Sequence, residues 1–215
     1  MRLQKEKIIQ RAIEVLDRDG LEGVTLRRLA KELDVQAGSI YYYIPDKETL
    51  LSEMANVILE ERFVSFDFEH DGRDWAEWLD TLAHELRAAM LAHREGARVV
   101  AGAHPEIALM LIRLWDMSVR VLHNNGFSYG KAMTIALTVI NFTFGSVIEE
   151  QASPLLGISD RVSSPEALLT FEQFPALSAV ADAWQGYNDM HFDTSVRIII
   201  NGVRAELDPR STNAE

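Results

Sequence analysis

The chain has no cysteine, so it can form neither a disulfide bond nor a zinc site with thiolate ligands. Its first residues lack the apolar core of a signal peptide, and no apolar run approaches the length that spans a membrane. Strand patterns are scarce, and neither an internal repeat nor a low-complexity tract is present. These absences predict a soluble, cytoplasmic, all-α protein with no membrane partner. Its 215 residues are enough for one small domain and one larger domain.

Sequence patterns for catalysis and metal binding are absent as well. The chain has no His-Glu-x-x-His pair and no glycine-rich phosphate loop after a strand. Residues 126–130 match the Gly-x-Ser-x-Gly pattern of serine hydrolases, but that elbow needs a strand before its serine. A helix is predicted there instead, so Ser128 is better interpreted as the N-cap of the next helix. We predict no enzyme activity, no catalytic residue, no metal site and no cofactor.

Acidic residues outnumber basic ones, and the formal net charge is −12. Residues 1–50 carry nine basic and nine acidic side chains, so all of the excess lies in residues 51–215. One interpretation is that an acidic body repels DNA everywhere except at a neutral DNA-binding head. The alternative is that the acidity serves solubility alone.

Residues 25–47 are typical of two short helices around a turn. Apolar residues recur at helical spacing from Leu26 to Leu33, Asp34 lies at the turn, and Ile40 packs the second helix against the first. The other side chains of the second helix are short or aromatic and uncharged, which lets a helix enter the major groove of DNA. Flanking basic residues can contact phosphates. The predicted DNA contacts are Thr25, Arg27, Arg28, Gln36, Ala37, Gly38, Ser39, Tyr41, Tyr42, Tyr43 and Lys47.

The three tyrosines are expected to differ in role. Tyr42 is predicted to face the DNA and to contact phosphate and thymine methyl groups. Tyr41 either packs inside the domain or touches a phosphate, and Tyr43 lies near the helix end.

This segment resembles the TetR family of bacterial one-component repressors. The signature of that family is matched by Thr25, Arg27, Leu29, Ala30, Leu33, Ile40, Tyr41, Tyr43, Ile44, Lys47 and Leu50. Asp34 departs from it, because the family usually carries glycine there in a left-handed turn. Aspartate tolerates that conformation better than most residues, so we expect some strain and the same fold.

The resemblance implies three parts. Residues 1–46 would form a three-helix DNA-binding domain with a helix-turn-helix, and residues 47–64 would form a linking helix. Residues 65–215 would form a larger helical domain for effector binding and dimerisation. Within it, the patterns predict a loop at 66–74, helices from Trp75 to Met90, over 107–122 and from Ser128, and breaks at Gly96, Gly102 and Pro105. A loop at 153–165 and helices over about 165–174 and 194–207 follow.

Two of these helices are apolar on more than one face and need partners beyond one small core. We predict that segments Lys131–Glu149 and Asn188–Ala205 pair across a two-fold axis, and the resemblance implies the same homodimer. Two DNA-binding heads on one frame would contact the half-sites of a palindromic operator in double-stranded DNA.

The body resembles the tetracycline-repressor branch over 93–99, 125–128, 142–145 and 149–151. However, Val100 stands where that branch carries the histidine that holds its metal-chelating drug, so we reject a magnesium–tetracycline site. A small, largely apolar effector is expected instead. The candidate wall residues, transferred by position, are Phe63, Leu82, Leu86, Val100, His104, Trp115, Ser118, Asn141 and Glu149.

His104 and Asn141 are favoured among these candidates, because a buried polar group needs a partner that a ligand could supply. The alternative for the apolar members is ordinary core packing.

The sequence therefore predicts a transcriptional regulator, namely a repressor that a small effector releases from its operator by tilting the linking helix. The alternative is a DNA-binding protein without small-molecule input, regulated by a partner or architectural. A closed apolar cavity would favour the first interpretation and a filled core the second.

Overall fold

The computed structural model describes residues 4–64, 73–152, 174 and 187–207. The regular elements in these ranges are helices, which confirms the all-α prediction. In chain order they are α1 Lys5–Asp19, a 3₁₀ turn at Leu21–Gly23, α2 Leu26–Glu32, α3 Ala37–Tyr43, α4 Lys47–Phe63, α5 Trp75–Leu91, α6 Gly96–Ala101, α7 Leu109–Asn124, α8 Tyr129–Ala152 and α9 Tyr187–Leu207.

Local signals set the ends of the first helices. Gly20 ends α1 in a left-handed conformation with φ of 79°. The Thr25 hydroxyl accepts a hydrogen bond from the backbone N–H of Arg28 at 3.2 Å, and the Asp46 carboxylate accepts one from Thr49 at 2.7 Å. Both side chains cap the helix that follows them.

The first three helices enclose a small core. Ile8, Leu16, Leu29, Ile40 and Ile44 are fully buried in it. Burial of one such side chain stabilises a fold by roughly 1.5–3 kcal/mol, so this shared core favours the packing of α3 against α2. α2 packs on both of its neighbours, α1 and α3.

The turn between α2 and α3 passes through Asp34, whose φ of 52° is left-handed. This confirms that aspartate takes over the conformation for which glycine is usual. The backbone N–H of Val35 closes the turn on the carbonyl of Ala30 at 3.0 Å.

Helix α4 is central to the first part of the chain, because it packs against α1, α5, α6 and α7. Apolar side chains on more than one of its faces are therefore buried, Leu50, Met54 and Ile58 among them, together with Ala55 and Leu59. α4 thus joins the three N-terminal helices to the helices that follow.

Helix α5 begins with a capping box, in which the Asp74 carboxylate accepts from the backbone N–H of Glu77 and the Glu77 carboxylate accepts from that of Asp74. The predicted break after α5 is also present. Glu95 is left-handed with φ of 54°, and a Cβ on Gly96 would lie 2.4 Å from the backbone oxygen of Met90. The chain reverses there so tightly that only glycine fits.

By internal contacts the chain divides into two compact units, residues 1–148 and 149–215. Helices α1 to α7 and most of α8 belong to the first unit, and α9 belongs to the second. The predicted boundaries at residues 46 and 64 separate the DNA-binding domain, the linking helix and the body by function, and they stay predictions.

Some ends of the later helices agree with the sequence prediction and others do not. α7 stops at Asn124, and the Ser128 hydroxyl accepts from the backbone N–H of Lys131 at 3.4 Å at the start of α8. α9 begins at Tyr187, before the predicted Thr194, since no glycine or proline interrupts residues 187–193. Most of the predicted loop at 66–74, the predicted loop at 153–165 and most of the helix at 165–174 lie outside the described residues.

Helix α8 corrects one expectation. With 24 residues it is long and apolar enough to cross a membrane by length and composition alone. The sequence pattern predicts no apolar run of that length. The core helix of a soluble protein meets the same criterion, and Ile135, Val139 and Ile140 are buried within the chain.

Candidate nucleic-acid interface

Helix α3 presents an uncharged face to solvent. Its buried residue is Ile40, and Ile44 just after it is buried as well. Six of the predicted contacts just before and within this helix are exposed, namely Gln36, Ala37, Gly38, Ser39, Tyr41 and Tyr42. The structure therefore places together six of the residues that the sequence selected.

The tyrosines of α3 are unequal. Tyr42 is 83% exposed and Tyr41 46%, while Tyr43 is half-buried. The ring of Tyr42 stands edge-on to that of Tyr43, with 5.1 Å between the ring centroids. Such edge-to-face pairs are favourable, so Tyr43 restrains the ring that projects farthest from the domain.

The two arginines of α2 have different surroundings. Arg28 forms ion pairs with Asp19 at the end of α1 and with Glu32 one turn further along α2, and Arg18 binds the same two carboxylates. Arg27 is exposed, and no described carboxylate lies within ion-pair distance of it. The structure thus separates a guanidinium held in ion pairs at the domain surface from one that faces solvent.

Hydrogen bonds and nearby positive charges lower the pKa of two carboxyl groups in this region. Hydrogen bonding from Arg18 lowers the pKa of Asp19, and the nearby charges of Arg18 and Arg28 lower it further. At the start of α4, the backbone N–H of Thr49 lowers the pKa of Asp46. Both carboxylates therefore hold their charge more firmly than free aspartate, and Lys47 lies exposed beside Asp46.

A polar cluster joins the loop before α6 to the N-terminal helices. The His93 ring contacts Asp17 of α1 through Nδ1 and Glu61 of α4 through Nε2, each at 3.1 Å. The backbone N–H of Arg94 donates to Asp17 at 3.1 Å, and the Glu95 carboxylate accepts from the backbone N–H of Leu21 at 2.7 Å. The position of α1 is thereby tied to the loop that precedes α6.

Two side chains of α4 bind the segment between α6 and α7 and the first turn of α7. Asn56 donates to the carbonyl of Ile107 at 2.8 Å and accepts from the backbone N–H of Met110 at 3.0 Å. Ser52 accepts from the backbone N–H of His104 at 3.0 Å. These long-range contacts were missed in the sequence, since a serine and an asparagine on a helix carry no pattern that predicts their partners.

Most of the candidate effector residues lie in the core. Phe63, Leu82, Leu86 and Val100 are buried on α4, α5 and α6, which pack against one another, and Ser118 is fully buried on α7. Trp115 is half-buried, and its indole nitrogen is buried with no hydrogen-bond partner among the residues that the structure describes. Glu149 is exposed and belongs to the second compact unit.

His104 and Asn141 do not fit the reason given for favouring them. Both side chains are exposed in the single chain, and the His104 ring lies 3.3 Å from Glu106 and 3.7 Å from Glu48. An exposed polar group forms hydrogen bonds with water, so it does not need a ligand as a hydrogen-bond partner. The expected burial of these two side chains is wrong for the single chain, because sequence spacing does not fix which side chains face the core, and their contact with an effector stays a prediction.

Comparison with known proteins covers nearly the whole chain. The family model described as "Bacterial regulatory proteins, tetR family" matches residues 8–54, and "Tetracyclin repressor-like, C-terminal domain" matches residues 69–207. The class C tetracycline repressor protein of Escherichia coli is 34% identical over 206 residues, which cover 94% of this chain and 91% of the repressor. These relatives are transcriptional regulators, and their family is a non-enzyme family.

Solved structures give the same result. A possible TetR family transcriptional regulator from Streptomyces coelicolor A3(2) is 35% identical with a TM-score of 0.78, and the match covers 94% of this chain and 99% of that one. BioQ, solved with its natural double-stranded DNA operator, is 28% identical with a TM-score of 0.63 and coverage of 73% and 93%.

Proposed function

Because this chain belongs to the tetR family of bacterial regulatory proteins, we propose that the exposed face of α3 reads its operator and that the helical body controls the reading. The chain is a DNA-binding transcriptional repressor, and members of its family form homodimers. The observation that carries the assignment of the reading face is the neutral, solvent-exposed surface of α3 held on a buried Ile40. Short side chains at the tip of a helix let its backbone approach base edges in the major groove.

Phosphate contacts flank this face in our proposal. Arg27 and Lys47 are exposed on either side of α3 in the sequence, and neither forms an ion pair with a residue that the structure describes. Cations in this state can meet phosphates without losing an intramolecular partner. Base contacts come from α3 and set the sequence that is read.

Two-fold assembly positions two such heads. We assign the dimer contact to segments Lys131–Glu149 and Asn188–Ala205, in helices α8 and α9. Support comes from the exposed apolar side chains of Met190 and Ile198 on α9, which are 63% and 65% exposed in the single chain. Apolar surface of this kind is stabilised when a second copy covers it.

Control by a small, largely apolar effector is the second part of the proposal. The buried candidate residues lie on α4 and on the three helices α5, α6 and α7 that pack against it. Helix α4 also packs against α1. A ligand among them would favour one position of α4 over another, and the difference in affinity between the two states supplies the energy, about 1–3 kcal/mol for a typical allosteric coupling. We place the protein in the cytoplasm, with the DNA that it binds.

Two measurements test these assignments. A duplex selected by the protein from a random pool should be palindromic and should bind at low salt with the stoichiometry of a dimer. Candidate apolar compounds are then titrated into the protein–duplex complex in a gel shift. Failure of every compound that binds the body to release the duplex would contradict effector control and leave a regulator without small-molecule input.

A further inference from the structure

Gly38 lies at the second position of α3, where nothing inside the chain requires a glycine. Its backbone is ordinary helix, and a Cβ built on it would meet no atom within 4 Å. Glycine weakens a helix relative to alanine, because it loses more conformational freedom on folding. Within the chain, alanine would therefore be the more stable residue at this position.

Other glycines of the chain have a reason in its own structure. Gly20 and Gly126 have positive φ values of 79° and 96°, and a Cβ on Gly96 would clash with a backbone oxygen. Gly38 shares neither feature. Gly130, Gly145 and Gly202 share its open surroundings, but Gly38 alone among these four lies on the exposed face of α3 that we assign to DNA. We therefore attribute the missing side chain at this position to a partner that approaches α3 from outside.

The surface beside Gly38 shows what could fit there. Gly38 and Tyr42 are four residues apart in one helix, so they share a face, one turn above the other. Tyr42 is the most exposed tyrosine of α3, and its ring is supported by Tyr43. The missing Cβ and the projecting ring form a notch with an apolar wall and no charged side chain.

We propose that this notch receives the C5-methyl group of a thymine, one in each half-site of the operator. This inference rests on the proposed function, since it requires α3 to lie in the major groove. There, each base pair offers a distinct set of groups, and the thymine methyl is the apolar one. Gly38 admits the methyl group, Tyr42 packs against it, and the pair selects thymine at one position.

The test is a steric exchange of methyl groups between protein and DNA. Each thymine of a duplex selected by the wild-type protein is replaced in turn, symmetrically in both half-sites, by deoxyuridine, which lacks only the C5-methyl. At one position the wild-type protein should lose about three- to tenfold in affinity, the effect of one or two buried methyl groups.

Gly38→Ala adds a methyl group to the protein at the same place. It should bind the thymine duplex at least about tenfold more weakly, the scale of one lost base contact. On the deoxyuridine duplex at that one position, the penalty should shrink, because the alanine methyl then occupies the space that the thymine methyl leaves.

Gly130→Ala is the matched control. Gly130 is also the second residue of a helix, α8, and its Cβ would likewise meet nothing within 4 Å. Both variants should be folded and at least as helical as wild type by circular dichroism, and only Gly38→Ala should change operator affinity.

The outcomes separate the two levels of the argument. Wild-type affinity in Gly38→Ala, or an equal penalty on every deoxyuridine duplex, would overturn the methyl notch while leaving DNA binding intact. If the wild-type protein selects no duplex at all, the proposed function fails and the notch fails with it.

Discussion

Arg27 and Arg28 carry the same charge on adjacent residues of α2 and have different surroundings. Arg28 is held by Asp19 and Glu32, whereas Arg27 is exposed and has no carboxylate partner among the described residues. To reach a phosphate, Arg28 would have to exchange two ion pairs for one, while Arg27 exchanges only water. Arg27 is therefore the residue of this pair that suits DNA, although the sequence selected both.

The first prediction concerns the salt dependence of operator binding. Arg27→Ala should weaken binding and reduce the slope of log K against log salt by about 0.9 for each protomer, because one phosphate contact is lost. Arg28→Ala should leave the slope unchanged and lower the unfolding temperature, since it leaves Asp19 and Glu32 with fewer partners. Binding isotherms at several salt concentrations measure both, and equal slopes in the two variants would contradict the distinction.

A second prediction at this scale concerns Tyr42. Replacement of this 83% exposed tyrosine by alanine should lower operator affinity by about 1–3 kcal/mol at fixed salt, the usual contribution of one good contact. Tyr129→Ala is the control, because Tyr129 is 63% exposed at the start of α8, outside the candidate interface. Isothermal titration with the selected duplex compares them, and an unchanged affinity in Tyr42→Ala would remove Tyr42 from the interface.

Among the elements, α4 depends on how it begins. The Asp46 carboxylate caps it through the backbone N–H of Thr49, and this hydrogen bond lowers the pKa of Asp46. A carboxyl with a lowered pKa in the folded state stabilises the fold above its unfolded pKa, near 3.9, and loses that contribution as the pH falls through the folded value.

The third prediction follows from this sign. The difference in unfolding free energy between wild type and Asp46→Ala should stay constant from neutral pH down to about pH 5 and shrink below about pH 4, where the cap is protonated. Urea denaturation at a series of pH values measures the difference. A difference that grows on acidification would show that Asp46 stabilises α4 in some other way.

In the first compact unit as a whole, hydrogen bonds between elements join segments that are far apart in the sequence. Asn56 binds the segment before α7 with one of them and the first turn of α7 with another, and His93 contacts both Asp17 and Glu61. Because of these hydrogen bonds, a shift of α6 or of the segment after it also displaces α4 and α1. They supply the physical connection that effector control requires.

The fourth prediction tests one of these ties. Asn56→Ala removes both bonds and should lower the free energy of unfolding by about 2 kcal/mol, at roughly 1 kcal/mol for each. Asn125→Ala is the control, because Asn125 is exposed and bonds only to Val121 in its own helix. Urea denaturation compares the two variants. A larger loss in the control would indicate that the bonds of Asn56 contribute little.

Much of the helical framework could be predicted because the deciding interactions are local. Thr25, Asp46 and Ser128 cap helices through backbone groups three residues away, and Gly20 and Asp34 turn the chain through their own φ angles. Such contacts require no knowledge of the rest of the fold, so residue identity and spacing are enough to place them.

Only the tertiary structure decided which way the side chains of these helices face and which distant residues they bind. It turned His104 and Asn141 to solvent, paired Arg28 with Asp19, and brought His93 between Asp17 and Glu61. These outcomes depend on how helices far apart in the sequence pack together, and the packing minimises exposed apolar area over the whole unit at once. By itself the sequence determined most of the helices, the ends that local caps and turns set, and the uncharged face of α3; packing determined which of the charged and polar groups remain exposed on the described surface.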